Sequence, residues 1–264
     1  MKSSKKLADK DLVVFDLDGT LTPSKSPLEP DMARALRELL AHKRVAVIGG
    51  GTYEQFTKQF ARRLHCPSAL LANLFLFPTT STSFYRYRGR GWKKVYRRVM
   101  SVADKKKIME AFTHAFAAVG YVHPRKTWGK VIEDRATQIT FSALGQDVVS
   151  KLGKKGVTLK ERWNKENNAA RLRMVRIIQR DLPGFEVRAG GLTSIDITQK
   201  GIDKAYGVRQ IEKVLKIPIR KMVFIGDALY KGGNDAAAKK TGVDTIAVGG
   251  PKDTIEIIKK IVND

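Results

Sequence analysis

Two aspartates one residue apart, in Phe15-Asp16-Leu17-Asp18-Gly19-Thr20-Leu21-Thr22, follow directly on the apolar stretch 12–15. A parallel strand delivers its last residues to the carboxyl edge of its sheet, where ligands bind in open α/β folds. Two carboxylates at that edge can divide labour. One attacks a phosphorus atom; the other protonates the leaving oxygen and then activates water. An Asp-Gly turn would explain Gly19 but leaves the paired acids without a purpose. An EF-hand loop needs Gly at its sixth place and Glu at its twelfth, where this chain has Leu21 and Pro27.

A second acidic stretch lies far downstream. Val223-Phe224-Ile225 runs into Gly226-Asp227 and, after a short loop, Gly232-Gly233-Asn234-Asp235. Carboxylates converging from separate strand ends suit Mg²⁺, which prefers oxygen ligands and neutralises phosphoryl oxygens. Lys204, at the start of an expected helix, can hold both a carboxylate and a transferring phosphoryl group as a point charge. Gly49-Gly50-Gly51-Thr52 offers backbone N–H groups and one hydroxyl to a phosphate oxygen.

The elements that must position these residues alternate. Helix patterns over 31–40 and 53–64 separate apolar runs at 12–15, 45–48 and 69–72, the rhythm of a parallel sheet. It resumes with helices near 204–215, 234–241 and 254–262 around strands at 222–225 and 245–248. Between the two stretches, helices at 99–118 and 168–181 alternate with hairpin-like runs at 131–141 and 185–197. The expected fold is therefore α/β: a Rossmann-like parallel-sheet core, residues 1–80 and 191–264, interrupted by an α+β domain over 81–190.

The chain of 264 residues carries a formal net charge of +24, which attracts anions from phosphorylated metabolites to nucleic acid. Residues 85–107 hold ten Lys or Arg against one acid, Asp104. Trp92, Val95, Tyr96, Val99 and Ala103 recur there at helical spacing, which predicts an amphipathic helix with a solvated basic face; a nucleic-acid patch is the competing reading. One cysteine, Cys66, and four histidines give no disulfide and no His/Cys metal spacing. With no apolar run of membrane-spanning length and no signal-like segment, the expectation is a soluble, cytoplasmic chain without membrane partners.

Taken together, Asp-x-Asp-Gly-Thr, the Gly/Thr turn, the later Lys and Gly-Asp…Asn-Asp resemble the haloacid dehalogenase superfamily, and the inserted domain looks like its type IIB cap. Asp-Leu-Asp-Gly-Thr-Leu-Thr-Pro, Gly-Gly-x-x-Tyr, Gly-Gly-Leu-Thr-Ser-Ile-Asp-Ile and Asp203-Lys204 are, in order and spacing, similar to eukaryotic-type phosphomannomutases. The resemblance implies a Mg²⁺ cofactor and a small phosphorylated substrate, a hexose phosphate. It implies Asp16 as the phosphorylated nucleophile, Asp18 as acid/base and Lys204 as the phosphate-holding lysine. Asp227 would hold the metal beside Asp16 and Asp18, with Asn234 and Asp235 in support. Gly50, Gly51 and Thr52 fall on the phosphate loop, and Arg135, Arg162, Ser194 and Asp196 on cap positions that touch sugar and distal phosphate.

Three positions depart from the family pattern. Gln146 and Lys25 stand where the mutases carry arginines, and Gly51 replaces a serine. A mutase must hold a bisphosphate through reorientation, and arginine grips phosphate bidentately as lysine cannot. The expected activity is accordingly phosphosugar hydrolysis, with phosphomannomutase-type isomerisation second and nucleic-acid binding on a retired core third. A homodimer stays open, because nothing in the sequence sets the oligomeric state.

Overall fold

The computed structural model describes residues 7, 9–23 and 26–263. It divides into two units, Met1–Arg97 with Ile202–Asp264, and Arg98–Gly201.

The first unit is built on a seven-stranded sheet in the order β11-β10-β1-β2-β3-β4-β5. Its strands are β1 (Leu12–Asp16), β2 (Arg44–Ile48), β3 (Leu74–Phe77), β4 (Ser83–Arg88), β5 (Gly91–Arg97), β10 (Met222–Gly226) and β11 (Asp244–Ala247). Every residue of β1 is buried, as a central strand covered on both faces must be. Alternate side chains feed two layers. Val13, Phe15, Val45 and Val47 pack with Met32, Leu36 and Leu39 of helix α1 (Pro30–His42) and with Ile258 and Ile261 of the C-terminal helix Pro251–Asn263. Leu12, Val14, Ala46 and Ile48 pack on the opposite face with Val208 and Ile211 of helix Lys204–Leu215. In register, Asp16 of β1 lies beside Ile48 of β2, and Phe15 beside Ile225 of β10. The ends of β1 and β10 therefore stand side by side, about 4.8 Å apart.

Several expectations differ from the observed elements. Residues 69–72 are not the third strand: Pro67 precedes a helical turn, Ser68–Leu71, and the strand is Leu74–Phe77, whose four large apolar residues are all buried. Before Val102 the basic stretch is not a helix; only its last residues, 102–107, open helix Val102–Val119. Tyr85 and Tyr87 alternate with Arg86 and Arg88, the period of a strand, and Gly89, at φ +63°, lets a two-residue turn lead into β5. Of the apolar residues at helical spacing, Trp92, Val95 and Tyr96 lie on β5, Val99 in the connection after it and Ala103 in the helix that opens at Val102. Accordingly the β4–β5 hairpin belongs to the large sheet, and the second unit runs from Arg98 to Gly201 rather than over 81–190.

The second unit is α+β. Strands β6 (Ile132–Asp134), β7 (Gln138–Ser142), β8 (Phe185–Gly190) and β9 (Ser194–Gln199) form an antiparallel sheet in the order β6-β7-β9-β8. Ile139, Phe141, Ile195 and Ile197 pack against Ile108, Phe112, Trp163, Met174 and Ile178, which come from helices Val102–Val119 and Lys154–Asp181. The second helix begins well before the expected residue 168, because its first turns carry few apolar residues to reveal a period. No described helix is long and apolar enough to cross a membrane.

After β3 the chain makes a left-handed turn without glycine, with φ of +49°, +53° and +64° at Thr79, Thr80 and Ser81. Left-handed backbone costs an L-residue about 1–2 kcal/mol. The turn is held because Thr79 N–H donates to Gly51 O and Thr80 N–H to Gly49 O, both at 2.9 Å, bracing the glycine loop after β2. Ser81 also faces Gly207, where an added Cβ would lie 2.6 Å from the Ser81 Oγ. We expect Gly207→Ala to lower stability by about 1–3 kcal/mol. Ser81→Gly should be neutral or stabilising, and in the double variant it should recover more than half of that loss. Urea midpoints of the four proteins test this; simple additivity would contradict the packing.

Candidate active site

Asp16, Asp227 and Asp235 each present a carboxylate oxygen, all within 4.8 Å of one another. Asp16 is the last residue of β1, Asp227 follows β10, and Asp235 closes the loop after it. Between the carboxylates stands Lys204, the first residue of its helix, which Asp203 caps by accepting from Tyr206 N–H. A lysine in a first helical turn is ordinarily exposed; this one is 4% exposed. Its Nζ donates to the Asp16 Oδ1, lies 3.0 Å from the Asp235 Oδ1, and sits over the Phe224 ring.

The close approach depends on two glycines. A Cβ at Gly19, where φ is +93°, would lie 2.4 Å from the Asp227 Oδ2, and one at Gly226 would lie 2.3 Å from the Asp235 Oδ2. Thr20 is fully buried and locks Asp227 reciprocally, its Oγ1 donating to the Asp227 Oδ1 and accepting from the Asp227 N–H, each at 3.0 Å. Thr254 in turn donates to Thr20 O at 2.9 Å.

Asp18 lies outside the three-acid cluster. Gln59 donates to its Oδ1 at 2.8 Å and to the Thr22 Oγ1 at 2.9 Å. Gln59 comes from Thr57–Ala61, a π-helical turn that continues helix Tyr53–Phe56; such turns recur at functional sites. Gln59, Thr20 and Thr254 were not singled out in the sequence, and only Thr20 carried a signal, as the residue completing Asp-Gly-Thr. Asn234 is exposed. Gly50 and Gly51 lie in the loop after β2. Thr52 caps the following helix, its hydroxyl accepting from Gln55 N–H and its own N–H donating to the Gln55 Oε1. Lys25 lies outside the described residues.

The remaining expected residues belong to the second unit. Arg135 is buried; its Nε donates to Glu133 at 2.7 Å and its Nη2 to the Gln146 Oε1 at 3.0 Å. Asp196 on β9 accepts from the Thr140 Oγ1 at 2.7 Å and from Gln138 Nε2 at 3.1 Å. Ser194 is buried, and Arg162 is exposed on its helix. Arg171 is a further residue that the sequence reading missed. Its Nη1 donates to Gly191 O at 2.7 Å and to Ser194 O at 3.3 Å, so it ties down the turn that leads into Ser194. The signal for it was an arginine on the stripe of Trp163, Met174 and Ile178.

Burial raises the Asp16 carboxyl against the pull of Lys204, and nearby Asp235 raises it further. Asp227 is raised too, first by burial. For Lys204 burial opposes the charge, but Asp16 and Asp235 outweigh it and hold the ammonium protonated. One ammonium thus faces three acids. The donor set is all oxygen and carries an excess of negative charge that a divalent cation would relieve, and its residues fit Mg²⁺.

A parallel sheet with paired aspartates after its central strand, a buried lysine and a separate α+β unit define the haloacid dehalogenase type of fold. Solved structures agree: an IMP-nucleotidase of Plasmodium falciparum superposes with a TM-score of 0.69 at 18% identity, over 97% of this chain and 68% of that one. A trehalose-6-phosphate phosphatase of Aspergillus fumigatus gives 0.53 at 18% identity, over 99% and 98%. Residues 32–264 match the eukaryotic phosphomannomutase family, and the chain belongs to that family. It is 27% identical over 260 residues to a phosphomannomutase of Schizosaccharomyces pombe, covering 96% of this chain and 95% of that protein. To human phosphomannomutase 1 it is 23% identical, covering 95% and 91%. It is an enzyme of the phosphatase or phosphomutase class.

Two outcomes follow from the geometry. Thr20→Val removes both bonds to Asp227 and should weaken Mg²⁺ affinity about 10–100-fold, as loss of a ligand's supporting hydrogen bond does, measured by calorimetric titration. The second concerns pH. Asp16 and Asp227 bind protons more tightly folded than unfolded, so the stability they supply is fully present below about pH 4 and declines as pH rises through their raised folded values. Metal-free protein should therefore lose thermal stability with rising pH between about pH 5 and 8, less steeply in Asp16→Asn. Saturating Mg²⁺ should abolish the decline, because bound metal requires both carboxylates ionised.

Proposed function

We propose that this enzyme is a Mg²⁺-dependent phosphohydrolase acting on a phosphorylated sugar through an aspartyl-phosphate. The observation that carries the reading is the buried Asp16 carboxylate held by Lys204 beside Asp227 and Asp235. Asp16 attacks phosphorus, and the bond to the leaving sugar oxygen breaks as Asp18 gives that oxygen a proton. Asp18 then takes a proton from water, which attacks the aspartyl-phosphate and releases inorganic phosphate with Asp16 restored. Lys204 neutralises charge on the transferring group, and Gln59 aims Asp18. Asp16 and Asp227, with Asp235 behind them, would hold Mg²⁺, whose charge offsets that of the phosphoryl oxygens. Ser194 and Asp196 supply sugar and phosphate recognition in the second unit, and Gly50, Gly51 and Thr52 do so in the first.

Hydrolysis is preferred over isomerisation because Gln146 replaces a mutase arginine, and because it and Glu133 occupy the Arg135 guanidinium. The family match favours the second reading, in which the aspartyl-phosphate returns its group to another hydroxyl of the sugar. Incubation with mannose and glucose phosphates and Mg²⁺, with and without a hexose bisphosphate, separates the two. We expect phosphate release without exchange of isomers. Isomer exchange dependent on the bisphosphate would replace hydrolase by mutase, and turnover retained in Asp16→Asn would defeat both.

A further inference from the structure

The β4–β5 hairpin carries Arg86, Arg88, Arg90, Lys93, Lys94 and Arg97 with no acid among residues 83–97. None of the six forms an ion pair among the described residues, and all but the half-buried Arg86 are exposed. Paired registers show how they are arranged. Arg86 lies over Phe75 and pairs with Lys93, so these two share a face with Arg88. Tyr85, stacked on Tyr53, marks the other face, where Tyr87 and Trp92 sit opposite one another and meet edge to face, with Lys94 beside them. Both rings are half-exposed. Arg90 occupies the turn. Burial first, and then the neighbouring Arg88, pull the Arg86 guanidinium pKa down.

Catalysis does not account for these cations. β5 is four strands from β1 in the sheet, about 19 Å at the usual strand spacing, against a screening length of about 8 Å at physiological salt. Protection of the edge strand does not account for them either, since a lysine or two blocks edge pairing. Lys94 and Arg97, paired with Tyr85 and Ser83, stand on the same face as Tyr87 and Trp92, and Arg90 stands at the turn beside it. Half-exposed aromatic rings beside them are what unpaired bases stack on. We propose that the face of the β4–β5 hairpin bearing Tyr87 and Trp92 is a docking surface for single-stranded nucleic acid, its bases against those two rings and its phosphates on Lys94, Arg97 and Arg90 of the turn. This surface is independent of the reading of the catalytic site.

The test is fluorescence anisotropy of the full chain with a labelled 20-nucleotide oligouridylate across a salt series. Three engaged cations give a log–log salt slope of about −2, so affinity should fall on the order of 20-fold between about 50 and 200 mM salt. Arg90→Gln/Lys94→Gln/Arg97→Gln should bring the slope close to zero, whereas Arg88→Gln/Lys93→Gln on the opposite face should leave it unchanged, with turnover of a small phosphate ester and thermal midpoint unchanged in both. Tyr87→Leu should weaken binding about 5- to 150-fold with the slope kept. The proposal is overturned if the triple variant binds like the wild type. It is equally overturned if no oligonucleotide binding occurs, or if duplex DNA or phosphatidylserine vesicles are held as tightly and through the same residues.

Discussion

The ammonium of Lys204 is the contact on which the site depends. A buried carboxylate without a partner costs several kcal/mol, and the sheet delivers Asp16 and Asp235 to one spot, 4% and 0% exposed. Lysine from the adjoining helix makes that tolerable but leaves the balance negative. A scaffold that holds acids together more closely than their own charges favour is poised for a cation and for a phosphoryl group that meets it. The arrangement is expensive in stability and is retained by packing elsewhere: the Asp203 cap, the Phe224 ring under the ammonium, and the apolar layer of Val208 and Ile211.

Hydroxyls and amides then set the aim. Thr20 fixes Asp227 from two sides, Thr254 fixes Thr20 from the C-terminal helix, and Gln59 links Asp18 to Thr22. In the second unit Arg171 does the same for the turn before Ser194, while Thr140 and Gln138 hold Asp196. Each supporting residue comes from a different element than the side chain it steadies.

The parallel core was legible because β1, β2 and β10 are short continuous apolar runs ending in acids or glycine, a pattern with one physical meaning. Asp16, Asp227 and Asp235 could be read from their place at those ends. Gln59 could not, because a π-helical turn leaves no periodic trace, and Arg171 was disguised among the many basic residues of its helix. The basic stretch misled because Trp92, Val95, Tyr96 and Val99 fit a helical period by chance, while the two-residue alternation of Tyr85 to Arg88 is only four residues long. The third strand was misplaced by five residues because Leu70-Leu71 and Leu74–Phe77 are both apolar; Pro67 and Asn73 decide between them, and only packing makes that decision visible. The long helix of the second unit hid its first half because charge there dilutes the apolar stripe.

The order of the sheet bears on how the chain is made. β10 pairs with β1 across an intervening stretch of about two hundred residues, Leu12 meeting Met222. On the ribosome, the strand bearing Asp16 therefore emerges with β2 to pair with and its other edge bare, and it stays so while the entire second unit is synthesised. Three acids and one lysine cannot gather until Asp235 has left the exit tunnel, so no half-made chain holds a working centre. The compact unit from Arg98 to Gly201 comes between, and its early closure would bring the two halves of the sheet within reach of each other before the last strands arrive.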